Sequence, residues 1–372
     1  MYRTLRSAAA ACGPLAARVA LLASCLLAAP APSRAADPMG TFSIVAYDSV
    51  TQELGVAVQS KYFSVGTTVP WARAGVGAVA TQANVNPSLG PEALSLLATG
   101  MPAPDVLRAL AAADSGWDGR QVGIVDAQGR SVTWTGKRCL DWAGGETGPG
   151  FACQGNILAG PAVVAGMAKA FRETSGELGE RLVAAIEAAE KAGGDKRGMQ
   201  SAALIITRPS ATNPEWRERY VDLRVEDAKN PIAELRRVWQ IDQGFHLANA
   251  HLQYAAQYEA AGRPELARME RERVGETLKR ALDRGERDAS ILNGLAWSCA
   301  TNDLYLPEAL RAAERAADQE PRNVDILDTL AEVNFRMGDA TKAIEVESRA
   351  ATIDPKSQYL KDQLARFRGG KK

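Results

Sequence analysis

The first half of the chain reads as short strand-like runs of Val, Ile and Ala, and the second half as helix-period stripes. The pattern predicts strands at 41–48, 54–60, 69–83, 121–126, 131–136, 151–158, 201–207 and 220–226, divided by Gly, Asp-Ser and Asp-Ala-Gln-Gly turns. Asp126 to Gly129 reads as a hairpin loop. Helical spacing covers 91–99, 104–113, 161–173 and 177–192, where Leu182, Val183, Ile186 and Ala189 make one apolar stripe. Strands come in runs and helices in pairs, which suits stacked sheets with helices outside better than an alternating parallel sheet. From about 231 to 367 the pattern is helical, with Pro231 where a first turn tolerates it.

Two segments of the helical part repeat. Ser290 to Trp297 aligns with Asp325 to Glu332, and Pro321 with Pro355, at spacings of 35 and 34 residues. A turn at Gly338-Asp339 and an Asp-Pro step complete a unit that resembles the tetratricopeptide repeat. Residues 242–284 look like a degenerate earlier unit. The expected organisation is a mixed domain over 41–240 and a repeat domain over 242–367 that offers a surface to a protein partner or to another copy of the chain.

Residues 1–36 read as a signal peptide. Arg3, Arg6 and Arg18 precede an uncharged run, and Pro32 to Ala35 offers small residues at a cleavage point after Ala35 or Ala36. The expectation is export to the periplasm or beyond. Leu22 to Cys25 also resembles a lipoprotein box, with Cys25 as the alternative anchor.

With 44 basic and 44 acidic residues the chain shows no basic footprint for nucleic acid. Cys139, Cys153 and Cys299 form no Cys-x-x-Cys pair; Cys139 and Cys153 could pair or stay as thiols. The only histidines are His246 and His251, so residues 1–245 lack the imidazole that Ser-His-Asp, Cys-His and most zinc chemistry require. No metal and no cofactor is expected. A free α-amine, with a pKa of about 7.7–8.0, is a base that needs no imidazole. Gly40-Thr41 at the head of the first strand would supply amine and hydroxyl on one residue once the bond between them is cut. Arg73 or Lys61 would supply a nearby cation, and an ordinary first-strand threonine is the plain alternative.

The blocks Thr41 to Ala46, Val56 to Lys61, Trp71 to Gln82, Gln154 to Leu158 and Gln200 to Leu204 resemble a bacterial family of unknown function, DUF1028, over about 41–240. That resemblance implies the N-terminal-nucleophile hydrolase superfamily and an α+β fold, a four-layer αββα sandwich with two antiparallel sheets. It implies Thr41 as nucleophile, Arg73 where relatives carry a lysine, Gln59 where they carry an aspartate, and Ser201 near the amine. Ser43 is the alternative nucleophile. Asn156 is the candidate oxyanion donor, and Asp195 a carboxylate to orient Arg73 or the amine. Ser60, Thr81, Gln82, Asn84, Asn86 and Gln154 are candidate substrate contacts. The expected function is cleavage of an amide in a small molecule or peptide. The alternatives are a non-catalytic ligand-binding domain and a periplasmic scaffold.

Overall fold

The computed structural model describes residues 40–210 and 219–370. The leader, its cleavage point and Cys25 lie outside the described residues. Among the described residues, ten strands build two antiparallel sheets. The first has the order β10-β9-β2-β1-β8-β7, from β1 (Thr41–Tyr47), β2 (Leu54–Ser60), β7 (Trp142–Gly148), β8 (Phe151–Leu158), β9 (Ser201–Thr207) and β10 (Arg219–Val225). The second has the order β3-β4-β5-β6, from β3 (Pro70–Arg73), β4 (Gly77–Ala83), β5 (Arg120–Asp126) and β6 (Ser131–Thr135). The strand expected over 69–83 is two strands, because Gly75 turns the chain at a φ of 68°. β7 escaped the pattern because Trp-Ala-Gly-Gly-Glu-Thr-Gly has almost no β-branched residue.

Period-two alternation sorts each strand's side chains between two cores. Phe42, Ile44 and Ala46 face α3 (Pro161–Glu173) and α4 (Leu178–Lys191) in one apolar cluster. Val45, Val56 and Val58 meet Ala78, Ala80 and Val125 between the sheets. Val79, Val122 and Ile124 pack on α1 (Leu89–Ala98) and α2 (Ala103–Ala113). Cys153 points into the first of these clusters, while Cys139 sits outside the strands with its thiol on the Arg120 carbonyl; both are free thiols. Burial pushes the Cys153 thiol well up.

The chain then becomes all helical. α5 (Pro231–Asp242) sends Ile232, Leu235 and Trp239 into the sandwich core. α6 (Ala248–Ala260), α7 (Pro264–Asp283), α8 (Ala289–Ala300), α9 (Leu306–Gln319), α10 (Val324–Met337), α11 (Ala340–Ile353) and α12 (Gln358–Arg368) share a separate core. Asp288, Asn323 and Ser357 each cap a helix N-terminus through the side chain, and they fall at the repeat spacing. No helix among the described residues is long and apolar enough to cross a membrane.

Candidate functional site

Between the sheets the core changes character along its length. One end is Val and Ala; the other is a set of buried polar side chains carried by the ends of β1, β2, β4, β5, β8 and β9. Strand pairing sets Ser201, Ser60, Thr41 and Asn156 side by side across four neighbouring strands. They share the inward face with Val58, Ala152 and Ala203. From the opposite sheet come Gln82 and its pairing partner Gln121.

Hydrogen bonds join these groups. The Thr41 hydroxyl donates to Ser60 Oγ at 3.0 Å, and the Ser60 hydroxyl donates onward to the Gly40 carbonyl at 2.5 Å. Arg197 Nη2 donates to the same carbonyl at 2.7 Å. Arg197 is held in turn by Asp195, through Nε to Oδ1 at 3.1 Å and Nη2 to Oδ2 at 2.8 Å. The Asp195 side chain is fully buried and also accepts the backbone N–H groups of Arg197 and Lys61. Behind this row Ser43 donates to Gln82 at 2.6 Å and accepts from Gln154 at 2.8 Å. Gln82 donates to Gln121 and to the Thr41 carbonyl. Asn156 donates to Gln121 Oε1 at 2.9 Å. Gly123 makes room for this layer, since a Cβ there would lie 2.1 Å from Gln154 Oε1.

Four non-glycine residues at this end hold left-handed backbone: Ala83 after Gln82, Ile157 after Asn156, Ser64 in the loop after Ser60, and Asp141 after Leu140, at φ of 68°, 55°, 57° and 50°. For a β-branched residue such as Ile157 that conformation is costly, of order 1–3 kcal/mol, and such strain gathers at functional sites. The same rim exposes Tyr62, Phe63 and Leu140. Nearby, burial first and the Asp195 carboxylate second push the Glu190 carboxyl up.

The structure separates several residues that the sequence grouped. Arg73 pairs with Gly77, at the other end of β4 from Gln82, which puts it about 17 Å along the strand from the Thr41 end. It is exposed and is not the cation beside Thr41; Arg197 takes that place. Lys61 points its ammonium at the Met199 carbonyl. The expected oxyanion donor Asn156 spends its amide on Gln121, and Ser60 with Arg197 holds the carbonyl instead. Asp195 orients Arg197, not Arg73. Ser201 fixes the loop after β2, with its hydroxyl on the Tyr62 carbonyl and the Val65 N–H. Gln59 lies on the opposite face of β2 from Ser60, near the Gly198 carbonyl.

Of the substrate-contact candidates, Ser60, Gln82 and Gln154 join the network. Thr81 faces the other side of β4 and bonds the Asn86 carbonyl. Asn84 lends its carbonyl to Arg120, and Asn86 bonds Asp114 and Ser88. Arg197 and Gln121 went unread in the sequence. The first sits in a turn-like Gly-Gly-Asp-Lys-Arg-Gly run, and the second is an unremarked strand start.

The family model for DUF1028, a family of unknown function, matches residues 41–235, which contain all of these groups except Gly40. The chain belongs to the DUF1028 family. A DUF1028 protein from Silicibacter pomeroyi, known from its crystal structure, is 30% identical with a TM-score of 0.50, covering 55% of this chain and 89% of that one. The family match over residues 41–235 spans the sandwich of this DUF1028 protein and ends within α5. The NMR structure of the first TPR domain of the human RPAP3 protein is 11% identical with a TM-score of 0.24, over 34% of this chain and 92% of that one, and assigns nothing to the helices. No curated protein matches the chain.

Proposed function

We propose that this DUF1028 protein is an exported hydrolase of the N-terminal-nucleophile type, with Thr41 as the nucleophile once the Gly40–Thr41 bond is cut. One observation carries the reading. The Thr41 hydroxyl, the Ser60 hydroxyl and the Gly40 carbonyl form a continuous donor chain, and Arg197 donates to that same carbonyl. Attack by Thr41 Oγ on the Gly40 carbonyl carbon forms a C–O bond. The hydroxyl proton passes through Ser60 as negative charge grows on an oxygen already held by two donors. The C–N bond breaks as Thr41 nitrogen takes the proton. Water then hydrolyses the ester, releases Gly40 as a carboxylate and restores the hydroxyl. The freed α-amine becomes the base for later turnover on an amide substrate. The order of helices, two facing sheets and helices is compatible with the four-layer arrangement of that superfamily.

Intact-mass analysis of the processed protein checks the reading. It is expected to begin at Thr41, and Thr41→Ala is expected to stay uncut and inactive. An active protein that keeps residues ahead of Thr41 would remove the hydrolase.

A second reading, a non-catalytic ligand-binding domain, draws on the burial of Thr41, Ser60, Gln82, Gln121, Gln154 and Asn156, none more than 1% exposed. Binding of a small polar ligand that survives Thr41→Ala without product would select it. In either case the helical repeats are proposed as the surface for a protein partner or a second copy.

A further inference from the structure

We infer that the site selects acyl groups whose α-carbon is unbranched, so that its substrates are glycyl-type amides; this rests on the hydrolase reading above. The inference comes from what surrounds Gly40. A Cβ added there would lie 2.8 Å from Arg197 Nη2, 2.8 Å from Asp195 Oδ2 and 2.9 Å from Asp195 Oδ1. Real side chains do not approach that closely, so either the methyl is refused or the pair moves. The pair is poorly placed to move. The Asp195 side chain is fully buried, and its two oxygens accept from the Lys61 N–H, the Arg197 N–H and the Arg197 guanidinium. The Arg197 Nη2 that donates to Asp195 Oδ2 also donates to the Gly40 carbonyl.

The ester formed by self-cleavage and the ester formed from a substrate are the same species at the same atoms, an acyl group on Thr41 Oγ. The wall that lies against the Gly40 α-carbon therefore lies against the α-carbon of any substrate acyl group held by Ser60 and Arg197. It stands on the side where an L-residue carries its side chain. The Gly40 nitrogen is itself acylated in the chain, so a glycine acylated on nitrogen is the same chemical group. The class is thus N-acylglycyl or simple glycyl amides, with L-alanyl and larger residues refused.

The test uses the processed full chain with two probes, the aminomethylcoumarin amides of N-acetylglycine and N-acetyl-L-alanine. The glycyl amide is expected to be cleaved with kcat/KM about 10- to 100-fold higher, the range that one forced methyl typically imposes. In Asp195→Ala, whatever its absolute rate, the ratio is expected to fall towards one. In the precursor, Gly40→Ala is expected to slow self-cleavage by a similar factor. Processing at Thr41 with equal turnover of the two probes would overturn the selectivity and leave the hydrolase standing. A chain that is neither processed nor able to turn over either probe would overturn the hydrolase, and this inference with it.

Discussion

Ser60 accepts from the nucleophile candidate and donates to the carbonyl that it would attack, so one hydroxyl links both ends of the proposed step. Removing a donor aimed at a developing oxyanion costs about 100- to 1000-fold in rate. Ser60→Ala and Arg197→Ala are each expected to slow appearance of the Thr41 terminus by about that range, read from a time course of precursor cleavage. Arg73→Ala is expected to leave the time course unchanged, since Arg73 stands at the far end of its strand pair. The sequence grouped Thr41, Ser60, Gln82 and Gln154 with Thr81, Asn84 and Asn86, and the structure keeps the first four in one network and turns the other three elsewhere. It did not rank the cations. Arg73 and Arg197 differ only in which end of which strand they reach, and pairing register decides that.

At the level of single elements, α12 closes the helical part over a group of acids. Glu347 on α11 is buried, and neither of its oxygens has a hydrogen-bond partner among the described residues. Burial, then Asp328, push its carboxyl up to about 8, with Arg366 of α12 pulling the other way and Glu332 adding to the rise. Burial pushes Asp328 to about 6, against a hydrogen bond from Tyr359 of α12. Both folded values lie above the ordinary ones, so the stability they carry is full below about 4 and is lost as pH rises through 6 and then 8. The opening equilibrium of α12, read from amide exchange after division by the intrinsic base-catalysed rate, is expected to rise across that range by up to about tenfold per pH unit for each carboxyl titrating. Glu347→Gln is expected to remove the upper part of the dependence. The repeat spacing made these helices legible, and the caps at Asp288, Asn323 and Ser357 are its structural counterpart. Nothing in that spacing marks Glu347 as a core position, because a helix period tells which face is buried but not which charge was left there.

At the scale of the whole molecule, a buried ion cluster joins the sandwich to α6 and α7. Arg208 after β9 is wholly buried and pairs with Glu53 at 3.2 Å and with Glu270 of α7 at 2.6 Å. Its guanidinium lies 3.8 Å from the ring centre of Tyr254. His251 of α6 stands between Glu270 at 2.7 Å and Glu177 at 3.3 Å. Arg208→Met would leave Glu53 and Glu270 without their main counter-charge. It is expected to cost about 3–5 kcal/mol in urea unfolding.

The same groups contribute to the pH profile of unfolding. Burial alone would raise Glu177 and Glu270, but hydrogen bonds from His251 and the nearby arginines outweigh it and hold both at about 2. Their contribution is present above the ordinary value of 4.5 and is lost as pH falls towards 2. Burial lowers His251, but its two carboxylates win and raise it above 6.5. Its contribution is full below 6.5 and is lost as pH rises through the folded value. Burial outweighs Arg208 and Arg273 and raises Glu53, so the stability from this cluster is expected to peak near pH 4.5 and to fall above it, and His251→Gln is expected to flatten the part of that fall above 6.5.

The sequence by itself determined the helices, the strands other than β7 and the β3–β4 break, the repeat period, the absence of imidazole from residues 1–245 and the family that contains Thr41. Those features are written in local periodicity and residue type, which act over a few positions of chain. Tertiary structure alone decided that Arg197 and not Arg73 meets Gly40, that Asp195 walls the Gly40 α-carbon, and that His251 is buried among carboxylates. Each of those outcomes depends on groups far apart in the chain being brought within about 3 Å, where hydrogen bonds and repulsion act, and no local pattern carries that information.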